Sequence, residues 1–232
     1  MNKYKYLLFD ADNTLFDFDR AEHNAFLLLD PLRPGAFTEA TYPAYHEINR
    51  EVWHMLERGE ITKSELKTER FRRHLSALGI PHNEALLKRI TAEYPKNLSR
   101  GTDLIDGALD VVTELSKRYP IYIVTNGLTD VQSARLKASP LNACVKRMFI
   151  SEEVGFDKPD GRFFDYVVDA IGDSDRTSYI VIGDSLTSDI DGAIQSGIDC
   201  IYYDPKRKGT SGRCVTATVA SLSELPRYFA DN

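Results

Sequence analysis

The chain is poor in cysteine. Its three thiols, Cys144, Cys200 and Cys214, have a spacing that fits neither a zinc site nor a disulfide framework. Reduced thiols in a cytoplasmic protein are therefore expected. No apolar run approaches membrane-spanning length. The stretch from Met1 to Lys5 is polar and leads straight into a short apolar run, which argues against a secretory signal. Positive charge is in deficit, with 29 Lys and Arg against 35 Asp and Glu, a net charge of −6. That balance does not favour a nucleic-acid polymer as partner, so any phosphate-bearing ligand has to be captured locally. Internal repeats and low-complexity tracts are also missing. The five histidines, His23, His46, His54, His74 and His82, lie in one segment without metal-ligand spacing, and each is expected on a solvated helix face.

What is present is an ordinary globular composition, 42% hydrophobic and 28% charged over 232 residues. This is enough chain for one large domain or a domain with an insert. The stretch that organises it is Tyr6-Leu7-Leu8-Phe9 followed by Asp10-Ala11-Asp12-Asn13-Thr14. The apolar run is too short for an ordinary helix and suits a buried strand. If the extension continued, Asp10 and Asp12 would point the same way. Two adjacent carboxylates repel, and a fold tolerates them when a cation or a shared proton sits between them. A strand ending in a solvated Asp-rich turn is the plainer alternative.

From Phe16 to Asn97 the periodicity is helical throughout. Tyr45, Ile48, Val52, Met55 and Leu56 recur at helical spacing between about Tyr42 and Arg58. Thr62-Lys63-Ser64-Glu65 is a capping-box signature opening a helix that Gly79 ends. Asn83 can cap a further helix, which Pro95 is expected to end. From Asp103 onward short β-branched runs alternate with helical stripes. Strands are expected at Ile121 to Val124, Arg147 to Ile150, Tyr179 to Ile182, Asp199 to Tyr203 and Val215 to Val219. Alternating strands and helices imply an α/β fold, a Rossmann-like doubly wound parallel sheet, with the helical segment inserted after the first strand. Lys206 to Arg213 is a basic Gly/Ser stretch, expected as a solvated loop.

In such a sheet ligands bind beyond the carboxyl ends of the strands. Those ends carry Asp10 and Asp12 on the first strand, Thr125 and Asn126 on the second, and Asp184 on the fourth, with Asp189 about a turn later. Gly155-Phe156-Asp157-Lys158-Pro159 adds one lysine to the same crevice. A like-charged pair about 4 Å apart costs about 4 kcal/mol at an effective dielectric near 20. A small hard cation with oxygen ligands removes that cost, and Mg²⁺ suits a site of few carboxylates plus phosphate. Lys158, Thr125 and the backbone N–H groups after it supply positive potential for a dianionic phosphate.

Asp-x-Asp-x-Thr after one strand, Thr-Asn after another, Lys-Pro, and Gly-Asp-Ser-x-x-x-Asp together resemble the four motifs of the haloacid dehalogenase superfamily. The helical insert resembles the cap of the subgroup that carries it after the first motif. The resemblance implies a catalytic core of residues 1–15 and 101–232 and a cap of residues 16–100. Ser151-Glu152-Glu153-Val154-Gly155, with Trp53, Gly59, Ile61 and Thr62 in the cap, is similar to bacterial house-cleaning pyrimidine 5'-nucleotidases.

The roles that follow are those the resemblance implies. Asp10 attacks phosphorus and forms an aspartyl-phosphate, and Asp12 protonates the leaving oxygen and then activates water. Mg²⁺ is held by Asp10, the backbone carbonyl of Asp12, and Asp184, with Asp189 orienting that shell. Thr125, Asn126 and Lys158 hold the phosphoryl oxygens. Phe16 and Asp17 begin the hinge side of a cap that selects the substrate. Tyr45, Asn49, Trp53 and Arg70 are its candidate contacts, with core packing the competing reading for Tyr45 and Trp53 and a surface ion pair for Arg70. The implied ligand is a small phosphorylated metabolite, a nucleoside monophosphate foremost. A sugar-phosphate phosphatase or phosphomutase would carry the same core motifs. A receiver-like phosphoacceptor is the alternative from another class, but Asp12 beside Asp10 argues for turnover.

Overall fold

The computed structural model describes residues 3 to 231. Strand β1 (Tyr6–Phe9) is followed by helices α1 (Phe18–Leu27), α2 (Tyr42–Glu57), α3 (Lys63–Ala77) and α4 (Glu84–Leu98). The chain then alternates through α5 (Ala108–Ser116), β2 (Ile121–Thr125), α6 (Thr129–Ala138), β3 (Val145–Ile150), α7 (Ser151–Val154) and α8 (Gly161–Ile171). It closes with β4 (Tyr179–Gly183), α9 (Asp191–Gln195), β5 (Asp199–Tyr203), β6 (Ala217–Val219) and α10 (Leu225–Asp231). Two compact units result. The sheet unit comprises the chain up to Asp17 and from Thr102 onward, and the helical unit is Phe18–Gly101. Among the described residues no helix is long and apolar enough to cross a membrane.

The sheet has the order β3-β2-β1-β4-β5-β6, and every neighbouring pair is parallel. Side chains alternate faces along each strand. Leu7, Phe9, Ile121, Ile123, Ile180 and Ile182 pack with Val112 and Leu115 of α5 and with Leu225 and Phe229 of α10. Leu8, Val124, Val181 and Cys200 pack on the other side with Phe163, Phe164 and Val167 of α8. Both faces are covered, which is why these strands read as continuous apolar runs rather than alternating ones. Strand order reverses between β1 and β4, and at such a switch point the flanking loops part to leave a crevice.

The helical unit closes on an aromatic centre. Phe26 stacks on Tyr45 with centroids 4.6 Å apart, Tyr45 on Phe71 at 5.5 Å, and Phe71 meets Tyr94 edge-on at 5.1 Å. Three expectations fail here. His82 lies between α3 and α4 rather than on a helix face, its Nδ1 donating to the Ile80 carbonyl at 3.0 Å. His74 does not lie on a solvated face. It is fully buried, donates from Nε2 to the Ala36 carbonyl at 2.8 Å, and meets Phe26 edge-on at 5.1 Å; burial pushes its pKa down. Pro95 does not end its helix, since α4 runs through it to Leu98. Proline costs a helix one backbone hydrogen bond. Burial of Tyr94, Asn97 and Leu98, with Asn97 Nδ2 donating to the Ala25 carbonyl at 3.5 Å, holds the last turn in place.

The capping box forms at α3. Thr62 N donates to Glu65 Oε2 at 2.8 Å and Glu65 N donates to Thr62 Oγ1 at 3.2 Å. Thr62→Ala is expected to cost about 1 kcal/mol of stability. Urea unfolding followed by circular dichroism checks this, and an unchanged midpoint would show that the box contributes nothing.

Candidate active site

Asp10 extends the β1 ladder by one residue, its N–H donating to the Ile182 carbonyl at 2.8 Å. The strand then stops. Asn13 adopts a left-handed φ of 60°, its N–H donates to the Phe16 carbonyl at 2.8 Å, and Leu15 N–H reaches back to Ala11 at 3.0 Å. The extension that would have aligned Asp10 with Asp12 therefore breaks, and the two carboxylates bond to different partners.

Asp10 meets Lys158. The Lys158 ammonium is buried and lies 2.7 Å from Asp10 Oδ1, 2.6 Å from Asp189 Oδ1 and 2.7 Å from the Val124 carbonyl. An ammonium has three N–H donors, so all three are engaged inside the protein. Asn126 pins the Lys158 backbone from both sides: Lys158 N donates to Asn126 Oδ1 and Asn126 Nδ2 donates to the Lys158 carbonyl, each at 2.8 Å. These two bonds use one N–H and one lone pair of the Asn126 amide. The Lys158–Pro159 peptide is cis.

Asp189 lies on a wide turn in which its own N–H and that of Ile190 both donate to the Ser185 carbonyl at 3.1 Å. Its Oδ2 accepts from Ser185 N at 3.1 Å. Asp184, just past β4, accepts from Thr14 Oγ1 at 3.3 Å. Carboxylate oxygens of Asp10, Asp184 and Asp189 lie within 4.8 Å of one another.

The charge of this cluster does not balance. Burial, then repulsion from Asp189, pushes the Asp10 carboxyl well above the usual range, with Lys158 opposing. Burial and Asp189 push Asp184 up to about 7. Burial works against the Lys158 charge, but Asp10 and Asp189 outweigh it and hold that pKa above the ordinary lysine value. One ammonium faces three carboxylates, all with hard oxygen donors, and this donor set fits a small divalent cation.

Asp12 belongs to a second network. Arg135 Nη1 donates to Asp12 Oδ1, and Gln132 Nε2 donates to Asp12 Oδ2 at 2.5 Å. Gln132 Nε2 also reaches Thr125 Oγ1 at 3.0 Å. The Thr125 oxygen accepts a further bond from Gly127 N at 3.0 Å, which leaves its own hydroxyl hydrogen to donate. Gln132 and Arg135, which the sequence analysis does not name, are buried on α6 beside the apolar Val131 and Leu136. The available signal was two long polar side chains three residues apart beside those apolar positions, directly after the Thr-Asn strand end.

The candidates in the helical unit are placed unevenly. Tyr45 is in the aromatic centre and Trp53 is half-buried. Arg70 is not a surface ion-pair partner. It is buried, donates to Asn49 Oδ1 at 3.4 Å, and lies over the Tyr94 ring at 4.5 Å, where stacking takes the place of a carboxylate. Asn49 in turn donates to buried Glu22, which also accepts from Tyr42 at 3.0 Å and His46 at 2.7 Å. The loop at 206–213 is largely exposed. The Asp204 carboxylate ties down its backbone at Lys208 and Gly209, and Arg213 pairs with Asp191.

The sheet thus carries an aspartate just past its first strand, a buried lysine behind it and an acidic cluster at the switch point, where open α/β sheets bind ligands. The model of the haloacid dehalogenase-like hydrolases matches residues 4–197, and the chain belongs to that family. It is 37% identical over 203 residues to the pyrimidine 5'-nucleotidase PynA of Streptococcus pneumoniae, covering 87% of this chain and 84% of PynA. Against the pyrimidine 5'-nucleotidase YjjG of Escherichia coli it is 30% identical, covering 98% of both. The magnesium-bound crystal structure of the HAD-hydrolase YfnB from Bacillus subtilis superposes with a TM-score of 0.90 at 35% identity, covering 98% of this chain and 99% of that one.

A Cβ at Gly183 would lie 2.3 Å from Asp189 Oδ2 and 2.7 Å from Asp189 Cβ. Gly183→Ala is expected to displace Asp189 from Lys158, costing about 1–3 kcal/mol of stability. Denaturant unfolding reads this directly, and a wild-type midpoint would show that the strand end yields without disturbing the ion pair.

Proposed function

We propose that this hydrolase cleaves phosphomonoesters through an aspartyl-phosphate on Asp10, with Mg²⁺, and that its substrates are pyrimidine nucleoside 5'-monophosphates. The observation that carries the reaction is the buried Lys158 bridging Asp10 and Asp189, with Asp12 two residues along and outside that cluster. Likeness to PynA and YjjG supports the substrate.

An Asp10 carboxylate oxygen attacks phosphorus, and the bond from phosphorus to the ester oxygen breaks. Asp12 gives a proton to that leaving oxygen. Water then attacks phosphorus, Asp12 recovers a proton from it, and the Asp10–phosphorus bond breaks to release phosphate. Lys158 holds the attacking carboxylate in place and adds positive potential without lending an N–H to the substrate. The Thr125 hydroxyl and the backbone N–H groups after β2 donate to phosphoryl oxygens. Asp10, Asp184 and the Asp12 carbonyl are the groups that would hold Mg²⁺, which supplies charge neutralisation on the transferring group. Asp189 orients Lys158.

Phosphate release from a panel of nucleoside monophosphates and sugar phosphates tests this reading. A preference for pyrimidine monophosphates is expected; a sugar phosphate turned over faster, or isomerised without net release, would replace the substrate. Asp10→Asn is expected to abolish turnover while the protein still unfolds cooperatively, and wild-type activity in that variant would sink the nucleophile assignment. Chelation of divalent metal is expected to remove activity and added Mg²⁺ to restore it. Turnover indifferent to chelator would rule out the cation.

A further inference from the structure

Gln132 and Arg135 have no part in the reaction as written above, yet both end on Asp12. The exposure of the two partners is lopsided. The Arg135 side chain is 0% exposed and that of Asp12 is 25% exposed. A carboxylate open on one side and gripped from behind is placed differently from one buried only to neutralise an arginine. The grip is also distributed. Arg135 takes one Asp12 oxygen and Gln132 the other, and Arg135 Nη1 donates to Gln132 Oε1 at 3.0 Å. The guanidinium itself lies over the Phe16 ring at 4.6 Å, which fixes its plane. Space for the grip is reserved by Gly127, where a Cβ would lie 2.2 Å from Gln132 Nε2.

We propose that Arg135 and Gln132 are positioning residues for proton transfer. They fix the Asp12 carboxylate at both oxygens, and through Gln132 they tie it to the Thr125 hydroxyl. This inference rests on the reading of Asp12 as the proton carrier. A group that moves a proton must be within hydrogen-bond reach of the leaving oxygen and correctly turned toward it. Asp12 sits on a turn after the strand has ended, so β1 does not orient it. Bonds at both oxygens remove rotation about its side chain. The link to Thr125 gives the proton carrier and a phosphate-binding hydroxyl a common reference. Arg135 and Gln132 donate hydrogen bonds throughout and exchange no proton; the proton Asp12 gives to the leaving oxygen is replaced from water in the second step.

A pair of leaving groups separates this role from a structural one. A nucleoside 5'-alkoxide needs a proton to leave, whereas p-nitrophenolate does not. With uridine monophosphate, Arg135→Met is expected to lower kcat/KM about 100-fold, the scale of general acid catalysis. With p-nitrophenyl phosphate the same variant is expected to lose less than about fivefold, and Arg135→Lys is expected to recover part of the loss on the nucleotide. Gln132→Leu, measured alongside, gives the same comparison should Arg135→Met fail to fold. Equal losses on both substrates in a variant that folds, or no loss on either, would overturn the inference. Asp12→Asn keeps the two levels apart. Discrimination between leaving groups in Asp12→Asn but not in the Arg135 or Gln132 variants overturns the positioning role alone. Its absence in Asp12→Asn removes the proton-carrier reading, and the inference falls with it.

Discussion

Three N–H bonds from one buried ammonium hold the carboxyl end of the sheet together. Lys158 reaches Asp10 after β1, the Val124 carbonyl within β2, and Asp189 after β4. These groups are remote in sequence and converge because parallel strands bring their carboxyl ends to one edge. Removing one partner of a buried ion pair costs about 3–5 kcal/mol, because the remaining charge is left uncompensated. The position of Lys158 is over-determined for the same reason: Asn126 grips its backbone from both sides. The nucleophile candidate is thereby oriented by a group that has no donor left for anything else.

Charge is divided rather than balanced. Asp10, Asp184 and Asp189 share a single lysine, and burial drives the carboxyls of Asp10 and Asp184 upward. Asp12, only two residues from Asp10, has an arginine of its own. Were all four carboxylates in one cluster, their protons would be shared and no residue would have a separate task. The break in β1 at the Ala11–Phe16 turn keeps them apart. The Asp10 group is left short of positive charge, and Asp12 has an arginine and a glutamine of its own.

Much of this was legible in the sequence, and what was not shares one cause. β1 and β5 fall where their apolar runs place them, and the α3 capping box forms between the residues that spell it. Each aspartate at a strand end could pass alone for a solvated turn; the cluster was readable because Asp10, Thr125, Asp184 and Lys158 fall together at the carboxyl ends of the strands. Arg70, His74, Gln132 and Arg135 were misjudged or missed because a polar side chain reads as exposed unless its partner is known. Each of those partners lies elsewhere in the chain: Asn49 for Arg70, Ala36 for His74, and Asp12 for Gln132 and Arg135. Pro95 was misjudged for a related reason. A local rule ended the helix, while packing of Tyr94 and Leu98 continued it.

The two networks share one construction detail. Gly183 ends β4 and Gly127 follows β2 by two residues, and neither has the left-handed φ that ordinarily explains a glycine. What each provides is volume. The Asp189 carboxylate occupies the space a Cβ would take at Gly183, and the Gln132 amide occupies that space at Gly127. In both cases a side chain from the following helical turn folds back onto the strand end it has just left. A side chain packed against bare backbone has fewer rotamers open to it than one reaching across solvent. The strand ends therefore act as templates: β4 fixes Asp189, which fixes Lys158 and hence Asp10, while the end of β2 fixes Gln132 and hence Asp12. The positions of the Asp10 and Asp12 carboxylates are inherited from the sheet through one intermediate side chain or two.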